Sequence, residues 1–444
     1  MGAPDTFWGH ERSQTMPAIK SIKPVGKPVD GNITPPGSKS ITNRALICAA
    51  LAKGTSKLSG VLDSDDTRVM LDSLSRLGFT VRHEAENGIA VVEGQGGSIP
   101  NAKANLQIGN SGTSVRFLTA MLGLAGGHYV IDGVDRMRQR PIGPLVEALQ
   151  QFGANVVAES AGACPPVVIK PGGHGANSIS VAGNLSSQYL SGLLMAAPLL
   201  DHDLKIAIEG QLVSLPYVSM TTEVMKSFGV EVEVETDNGV PVSFLIHGDS
   251  SYQGCEYSIE PDASAASYFF AIPAIVGGRV RVQGLGANSL QGDVDFVRCL
   301  EAMGCTVEFH DDSIEVSGKA RRGIDVDMAN ISDTVQTLAS IALFVDGPTS
   351  IRNVAHNRVK ETDRIGNLAI ELRKLGVTID EREDGLTIHP GTMNSATFET
   401  YDDHRMAMSF ALIGLRQPGI ELENPGCVSK TYPEFFEDLE SILS

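Results

Sequence analysis

The stretch Leu74-Ser75-Arg76-Leu77-Gly78-Phe79-Thr80-Val81 reads as a helix end, a glycine and a strand start. The same junction recurs as Leu149-Gln-Gln-Phe-Gly-Ala-Asn-Val156, Met225-Lys-Ser-Phe-Gly-Val-Glu-Val232, Leu300-Glu-Ala-Met-Gly-Cys-Thr-Val307 and Leu372-Arg-Lys-Leu-Gly-Val-Thr-Ile379. Its glycines, 78, 153, 229, 304 and 376, are spaced by 75, 76, 75 and 72 residues. Glycine suits the position because the residue after a helix commonly takes a positive φ, which costs other residues more. At this period the chain holds about six units. A sixth helix is available at 433–443, but no strand follows it, and the alternating Ala18-Ile-Lys-Ser-Ile-Lys-Pro-Val25 is the candidate to fill that place. The expected fold is α/β: six units, mixed sheets and two lobes of three units, one lobe discontinuous in sequence.

With 444 residues the chain has room for two sizeable cores. It contains no run of 18 apolar residues, so no membrane span is expected. A net charge of −18 argues against a nucleic-acid surface and offers no general attraction to phosphorylated metabolites, so any anion site must be built locally. The cysteines at 48, 164, 255, 299, 305 and 427 form neither CxxC pairs nor a zinc spacing, and reduced thiols in a cytoplasmic protein are expected. Residues 1–15 lack the apolar core of a signal peptide and the Arg-rich character of a transit peptide. Residues 1–16 are expected to form a poorly ordered extension.

Local cation clusters do occur, and they stand at expected helix starts. Arg358-Val-Lys-Glu-Thr-Asp-Arg364 lies between a strand-like run and the apolar spacing of Ile365, Leu368, Ala369, Leu372 and Leu375, which places it in a helix's first turn. Backbone N–H groups and the helix dipole favour an anion there. Pro36-Gly-Ser-Lys-Ser-Ile-Thr-Asn-Arg44 brings Lys39, Ser40 and Arg44 to another start but is not a Walker loop, since no glycine stands five residues before Gly37. Gly109-Asn-Ser-Gly-Thr-Ser-Val-Arg116 lets a ligand approach backbone closely and sets Arg116 one turn beyond Gly112. Arg136, Arg138 and Arg140 alternate before Pro141 and share one side if the segment is extended.

Gly183-Asn-Leu-Ser-Ser-Gln-Tyr-Leu190 and Ser214-Leu-Pro-Tyr217 add neutral hydrogen-bonding groups. Asp262 and Asp333 stand where capping is the default explanation. Tyr401-Asp-Asp-His-Arg405 and Lys430 complete the set. Capping requires Ser, Thr, Asp or Asn. It does not call for Lys39, Arg44, Arg116, Arg140, Lys360, Arg364, Arg405 and Lys430 in an acidic protein, and this excess of cations points to an anionic ligand.

Taken in order, PGSKSxTNR, GNSGT, RxRPI, SSQY, RVKETDR, DHRMAM and SKTYP resemble the EPSP synthase family, enolpyruvyl transferases of the shikimate pathway, from about Ile19 to the C-terminus. The resemblance implies the two-lobed enolpyruvyl transferase fold, an inverse α/β barrel type with six βαβαββ repeats. Residues 17–37 plus 259–444 form the discontinuous lobe, residues 38–258 the continuous one, and the active site lies in the cleft between them. It further implies a cytoplasmic monomer, sensitive to glyphosate, that uses phosphoenolpyruvate and shikimate 3-phosphate and needs neither metal nor organic cofactor.

Carried over motif by motif, the resemblance assigns Lys39, Asn110, Gly112, Arg140, Gln188, Arg364, Arg405 and Lys430 to phosphoenolpyruvate. Lys39, Ser40, Arg44, Ser186, Ser187, Gln188, Ser214, Tyr217, Asp333, His356 and Lys360 fall to shikimate 3-phosphate. Asp333, Glu361 and Lys39 are the implied catalytic groups, with Asp333 as base and Glu361 as proton donor to C3. An acid beside so many cations ordinarily has a lowered pKa, so Glu361 needs either local burial or a proton acquired from the substrate hydroxyl.

Two departures stand out. His356 occupies a position often held by asparagine, and Phe117 one often held by proline. Two rival readings are a UDP-N-acetylglucosamine enolpyruvyl transferase and a non-catalytic phosphate-binding relative. The first usually carries a loop cysteine that residues 132–141 lack, and retention of both Asp333 and Glu361 disfavours the second.

Overall fold

The computed structural model describes residues 18–173 and 175–444. The expected extension at residues 1–16 lies outside them. Six sheets are present among the described residues, five with four strands and one with three. In the sheet built from Lys103–Gln107, His128–Asp132, Asn155–Ser160 and Cys164–Lys170, the first two strands are parallel and the last two join antiparallel. The parallel pair needs a crossover, which the helix Gly112–Ala125 supplies, while the antiparallel pair needs only a turn.

Each junction glycine found in the sequence follows a helix and has φ between 85° and 109°. The pattern is legible because this conformation penalises every residue with a Cβ.

Two kinds of helix alternate along the chain. Lys39–Leu51, Gly112–Ala125 and Ser187–Ala196 are buried nearly all round and pack together in one core. Ala263–Val276, Val335–Ala342 and His404–Gly414 do the same in a second core. Helices hydrophobic on every face belong inside a protein. The helices that close each unit, such as Asp65–Arg76 and Phe296–Met303, bury one face only. The first core runs from Ile41 to Ile259, and the second gathers Ile22 and Val29 with residues from Ala263 onward.

Strand exchange ties the two cores. Val29–Ile33 pairs in parallel with Gly278–Gln283 in the second core, and Glu256–Ser258 pairs in parallel with Lys53–Ser59 in the first. Near the N-terminus, Ile19–Ile22 lies antiparallel to Ile420–Glu423, completing the three-stranded sheet beside Ala396–Phe398. The chain therefore passes between the cores at residues 34–38 and 259–262. These passages run antiparallel and are bonded by Ser38 N to Glu260 O and Asp262 N to Pro36 O, both 2.8 Å.

Candidate active site between the two cores

Five of the six buried helices, all but Ala263–Val276, begin at, or just after, a common cleft. Its lining includes Lys39, Ser40, Gly112, Arg116, Arg140, Ser186, Ser187, Gln188, Ser214 and Tyr217 from the first core. Asp333, His356, Lys360, Glu361, Arg364, His404 and Arg405 come from the second. These walls bound about 780 Å³, part of it open to solvent. Lys39, Arg116, Arg140, Lys360, Arg364 and Arg405 face Asp333 and Glu361, six cations against two carboxylates. Burial holds both histidines below their ordinary range, His356 at about 3, so the lining carries a net charge of +4 in a protein of net charge −18.

On the second wall Asp333 does not cap its helix. Its Oδ1 accepts from Lys360 Nζ at 2.6 Å and Arg364 Nη1 at 3.3 Å, and its Oδ2 from Arg405 Nη2 at 2.7 Å and the Tyr217 hydroxyl at 3.3 Å. Burial alone raises a carboxyl pKa, but Arg405, Lys360 and Arg364 outweigh it and hold Asp333 well below the usual range. Glu361 lies 3.0 Å from Arg364 Nη2 and 3.6 Å from Arg140 Nη2. There too burial is outweighed, by Arg364, Arg140 and Lys430, and the carboxylate is held ionised. Arg364 is itself fixed by two bonds to buried Asp403, at 2.7 and 3.0 Å. Asp262, by contrast, is a cap, accepting from Ala265 N at 2.9 Å, and its second oxygen accepts from Lys39 N at 3.2 Å.

The charged heptad is not a helix's first turn. A 3-10 turn spans Ala355–Val359, residues 360–365 are irregular, and the helix is Gly366–Arg373. Asp363 explains the shift: its Oδ1 accepts from the N–H groups of Ile365 and Gly366, making it the cap and leaving Lys360 and Glu361 upstream on free backbone. Asn357 Nδ2 donates to Ser332 O at 2.9 Å, tying this loop to the turn that carries Asp333.

On the first wall the cations have mostly neutral partners. Arg116 donates to Gln188 Oε1 at 2.8 Å and to the carbonyls of Gly112 and Pro141 at 3.2 Å. Arg140 donates to Asn110 O at 2.9 Å. A Cβ at Gly112 would press on the guanidinium groups of both Arg140 and Arg116, so the close approach of these cations to the helix start requires glycine. Ser214, at φ 54°, holds a left-handed conformation at the start of Leu215–Ser227, which turns the chain toward the cleft.

Three residues expected at the site do not line it. Arg44 is 1% exposed and points into the first core, where it bonds Thr221, Ser191 and the carbonyls of Ser40 and Tyr217 over the Phe117 ring, 5.1 Å away. Among the described residues it has no carboxylate partner, and burial lowers its pKa to about 10. Asn110 acts through its carbonyl, which accepts from both Arg140 and Lys430, each at 2.9 Å. Lys430 also reaches Asp66 at 2.7 Å, and Asp66 lies 3.2 Å from Lys39 Nζ.

The three alternating arginines diverge as well. A 3-10 turn at Met137–Gln139 breaks the extended run, sending Arg140 into the cleft, Arg138 outward to Asp132 and Arg136 across to the other wall. Sequence reading missed Asp66, Asp293 and Asp403 as parts of this network. Each stands in or beside a helix start, where an acidic residue looks like an ordinary cap. Asp293 is buried, accepts from the Tyr217 hydroxyl at 3.1 Å and from Ser264, and is pushed up to about 6 by burial and the nearby charge of Asp333.

Residues 24–439 match the family model for EPSP synthase (3-phosphoshikimate 1-carboxyvinyltransferase). A 3-phosphoshikimate 1-carboxyvinyltransferase of Nostoc punctiforme is 46% identical over 416 residues, covering 94% of this chain and 97% of its own. The chloroplastic enzyme of that name from Arabidopsis thaliana is also 46% identical, covering 95% of this chain and 84% of its own. Among solved structures, EPSP synthase from Acinetobacter baumannii superposes with a TM-score of 0.78 at 27% identity, covering 95% of this chain and 97% of its own. The enolpyruvyl transferase NikO from Streptomyces tendae, at 17% identity and a TM-score of 0.73, shares the fold. With residues 24–439 of 444 matched by the family model and relatives at 46% identity, the chain belongs to the EPSP synthase family.

Proposed function

We propose that the chain transfers the enolpyruvyl group of phosphoenolpyruvate to the 5-hydroxyl of shikimate 3-phosphate, releasing phosphate through a tetrahedral intermediate. The observation that carries this reading is the net +4 lining, which suits two substrates that each bear a carboxylate and a phosphate. Holding both in one narrow cleft supplies proximity and strengthens each charged contact by limiting water.

The two acids then divide the proton chemistry. Asp333, kept ionised by three cations, is the base that takes the 5-hydroxyl proton as its oxygen bonds C2 of phosphoenolpyruvate. Glu361, also ionised, has no proton of its own to give, so burial does not make it an acid. The hydroxyl proton therefore has to end on C3, with Glu361 acquiring it before donating it. Arg364, which contacts both carboxylates, stands between the two stations. In the second step the C2–O bond to phosphate breaks, Glu361 takes a proton back from C3, and the C2–C3 double bond re-forms.

Lys39, Gly112, Arg140, Gln188, Arg364 and Arg405 are the proposed phosphoenolpyruvate contacts, with Asn110 and Lys430 bracing them from behind. Ser40, Ser186, Ser187, Gln188, Ser214, Tyr217, Lys360 and His356 are the proposed shikimate 3-phosphate contacts. Neutral His356 has a buried Nε2 with no partner among the described residues, which suits it to a hydrogen bond with the ligand. Arg44 supports Ser40 and Tyr217 through their carbonyls. A monomer in the cytoplasm is part of the proposal, checked by gel filtration and fractionation.

The test is phosphate release on mixing the two substrates. Release that requires shikimate 3-phosphate supports the reading, and release with UDP-N-acetylglucosamine instead, or none, overturns it. Glyphosate is expected to inhibit, because Gly112 lets Arg140 and Arg116 approach the helix start, where an alanine methyl would press on both. An inhibition constant far above the Michaelis constant for phosphoenolpyruvate refutes that expectation.

A further inference from the structure

Arg136 stands on the turn after the strand His128–Asp132, anchored by fully buried Met137. Its guanidinium crosses the cleft and donates from Nε to Glu361 O at 3.0 Å and from Nη2 to Lys360 O at 2.9 Å, while Nη1 is 3.3 Å from Gln139 Oε1 of its own wall. Among the described residues no backbone N–H donates to either carbonyl. The loop carrying Lys360 and Glu361 has neither helical nor sheet bonding, so its backbone at these two residues is held from the opposite wall alone.

We infer that Arg136 is a positioning residue, a fork that fixes the peptide units of Lys360 and Glu361 once the two cores meet, so that the Glu361 carboxylate is aimed only in the closed cleft. The inference rests on the proposed reaction. Two parallel N–H donors on one rigid plane suit two successive carbonyls, and an ammonium lacks that geometry. The other contacts across the cleft reach side chains or other segments: Arg140 lies 3.6 Å from the Glu361 carboxylate, Lys430 and Ser429 reach Asp66 and Asp65, and Tyr217 reaches Asp293 and Asp333. Arg136 alone addresses the backbone that carries the proton donor. It touches no proposed substrate group, so its effect belongs in turnover and not in binding.

The experiment compares wild type with Arg136→Ala and Arg136→Lys. Arg136→Ala is expected to lower kcat about ten- to hundredfold, as loss of a charged hydrogen-bonding pair does, with KM for both substrates within about threefold. Methylguanidinium in the assay is expected to restore part of the kcat of Arg136→Ala and to leave wild type unaffected, and Arg136→Lys is expected to resemble Arg136→Ala. Amide hydrogen exchange over 358–366, with both substrates bound, is expected to be faster in Arg136→Ala.

A kcat within twofold of wild type overturns the inference. So does a fall in thermal midpoint that accounts for the lost activity without rescue. Should wild type release no phosphate, the reaction reading fails by itself. Exchange over 358–366 then still decides whether Arg136 holds the loop, since equal rates in both proteins refute it.

Discussion

The two walls of the cleft carry similar numbers of cations and treat them differently. On the second wall Arg364, Arg405 and Lys360 are bonded to carboxylates of their own lobe, Asp403 and Asp333. On the first wall Arg116 and the deeper Arg44 rest on hydroxyls, an amide and carbonyls, and only Lys39 has an acid of its own lobe beside it, Asp66. A cation paired inside its own wall is held rigidly and tunes its acid. One surrounded by neutral dipoles keeps its charge available for a ligand. The first wall is thus suited mainly to gripping anions, while the second, besides its own anion contacts, holds the acids that move protons.

The largest effect should come from the second wall's donor. Glu361→Gln keeps size and polarity but cannot carry a proton to C3. Its kcat is expected to fall by about 10²–10⁴-fold with little change in either KM, measured by steady-state phosphate release. A comparable fall from substituting Lys39 alone, with Glu361→Gln near wild type, would move the donor to the first wall and break the comparison.

One substitution made on both walls separates them more directly. Arg364→Met leaves fully buried Asp403 without its two bonds, a loss expected to cost about 3–5 kcal/mol in urea unfolding. Arg116→Met strands no carboxylate of its own wall. Its stability should change much less, while KM for phosphoenolpyruvate rises about ten- to hundredfold, because Arg116 holds Gln188 and the Gly112 carbonyl, two of the proposed contacts. Equal destabilisation by both variants would remove the distinction between the walls.

This division was only half legible in the sequence. The 75-residue period and the glycines with positive φ mark the units because the constraint is local and repeats. Lys39 and Arg140 could be picked out because a cation near a helix start in an acidic chain lacks a structural excuse, and Glu361 because the RVKETDR motif carries it. Asp66 and Asp403 could not, since at helix starts they look like caps, and their real partners, Lys430 and Arg364, lie 364 and 39 residues away. Arg44 belongs to a convincing motif yet turns inward, because Thr221, Ser191 and the Phe117 ring on other elements supply its surroundings. The strand partners of Val29–Ile33 and Glu256–Ser258 were not legible from the residues alone, for strands this short read alike in either sheet, and only the family resemblance assigned the two segments to different lobes.

Asp293 sharpens the comparison from its exception, an acid of the second lobe with no cation in contact. Burial first, and then the charge of Asp333, push its carboxyl up to about 6. Arg405 and Asp262 are its other charged neighbours, and Ser264 and Tyr217 donate to it. A carboxyl raised on folding favours the native state while protonated, and that contribution disappears as pH climbs from about 4 through about 6. Asp293→Asn removes the titration. Its stability relative to wild type is expected to improve between pH 4 and pH 8 by on the order of 1–3 kcal/mol in urea unfolding. A difference that is flat with pH would mean that the Asp293 carboxyl is not raised.

The smallest effect is expected at His356, which sits on the proton wall but is proposed to bind. Its ring is buried, held neutral by burial and by Lys360, it belongs to the cleft lining, and its Nε2 has no hydrogen-bond partner among the described residues. One neutral hydrogen bond to a phosphate oxygen corresponds to about three- to tenfold in affinity. His356→Ala is therefore expected to raise KM for shikimate 3-phosphate by about that factor, and His356→Asn, which keeps a donor, to recover most of it. With its pKa near 3, His356 should add no pH dependence to that KM between pH 5 and pH 8. A KM unchanged in His356→Ala would leave the second wall with no binding role at this position. A KM that rises near pH 6.5 in wild type but not in the variants would show a charged imidazolium at work, and binding there would then follow the first wall's logic of an available cation.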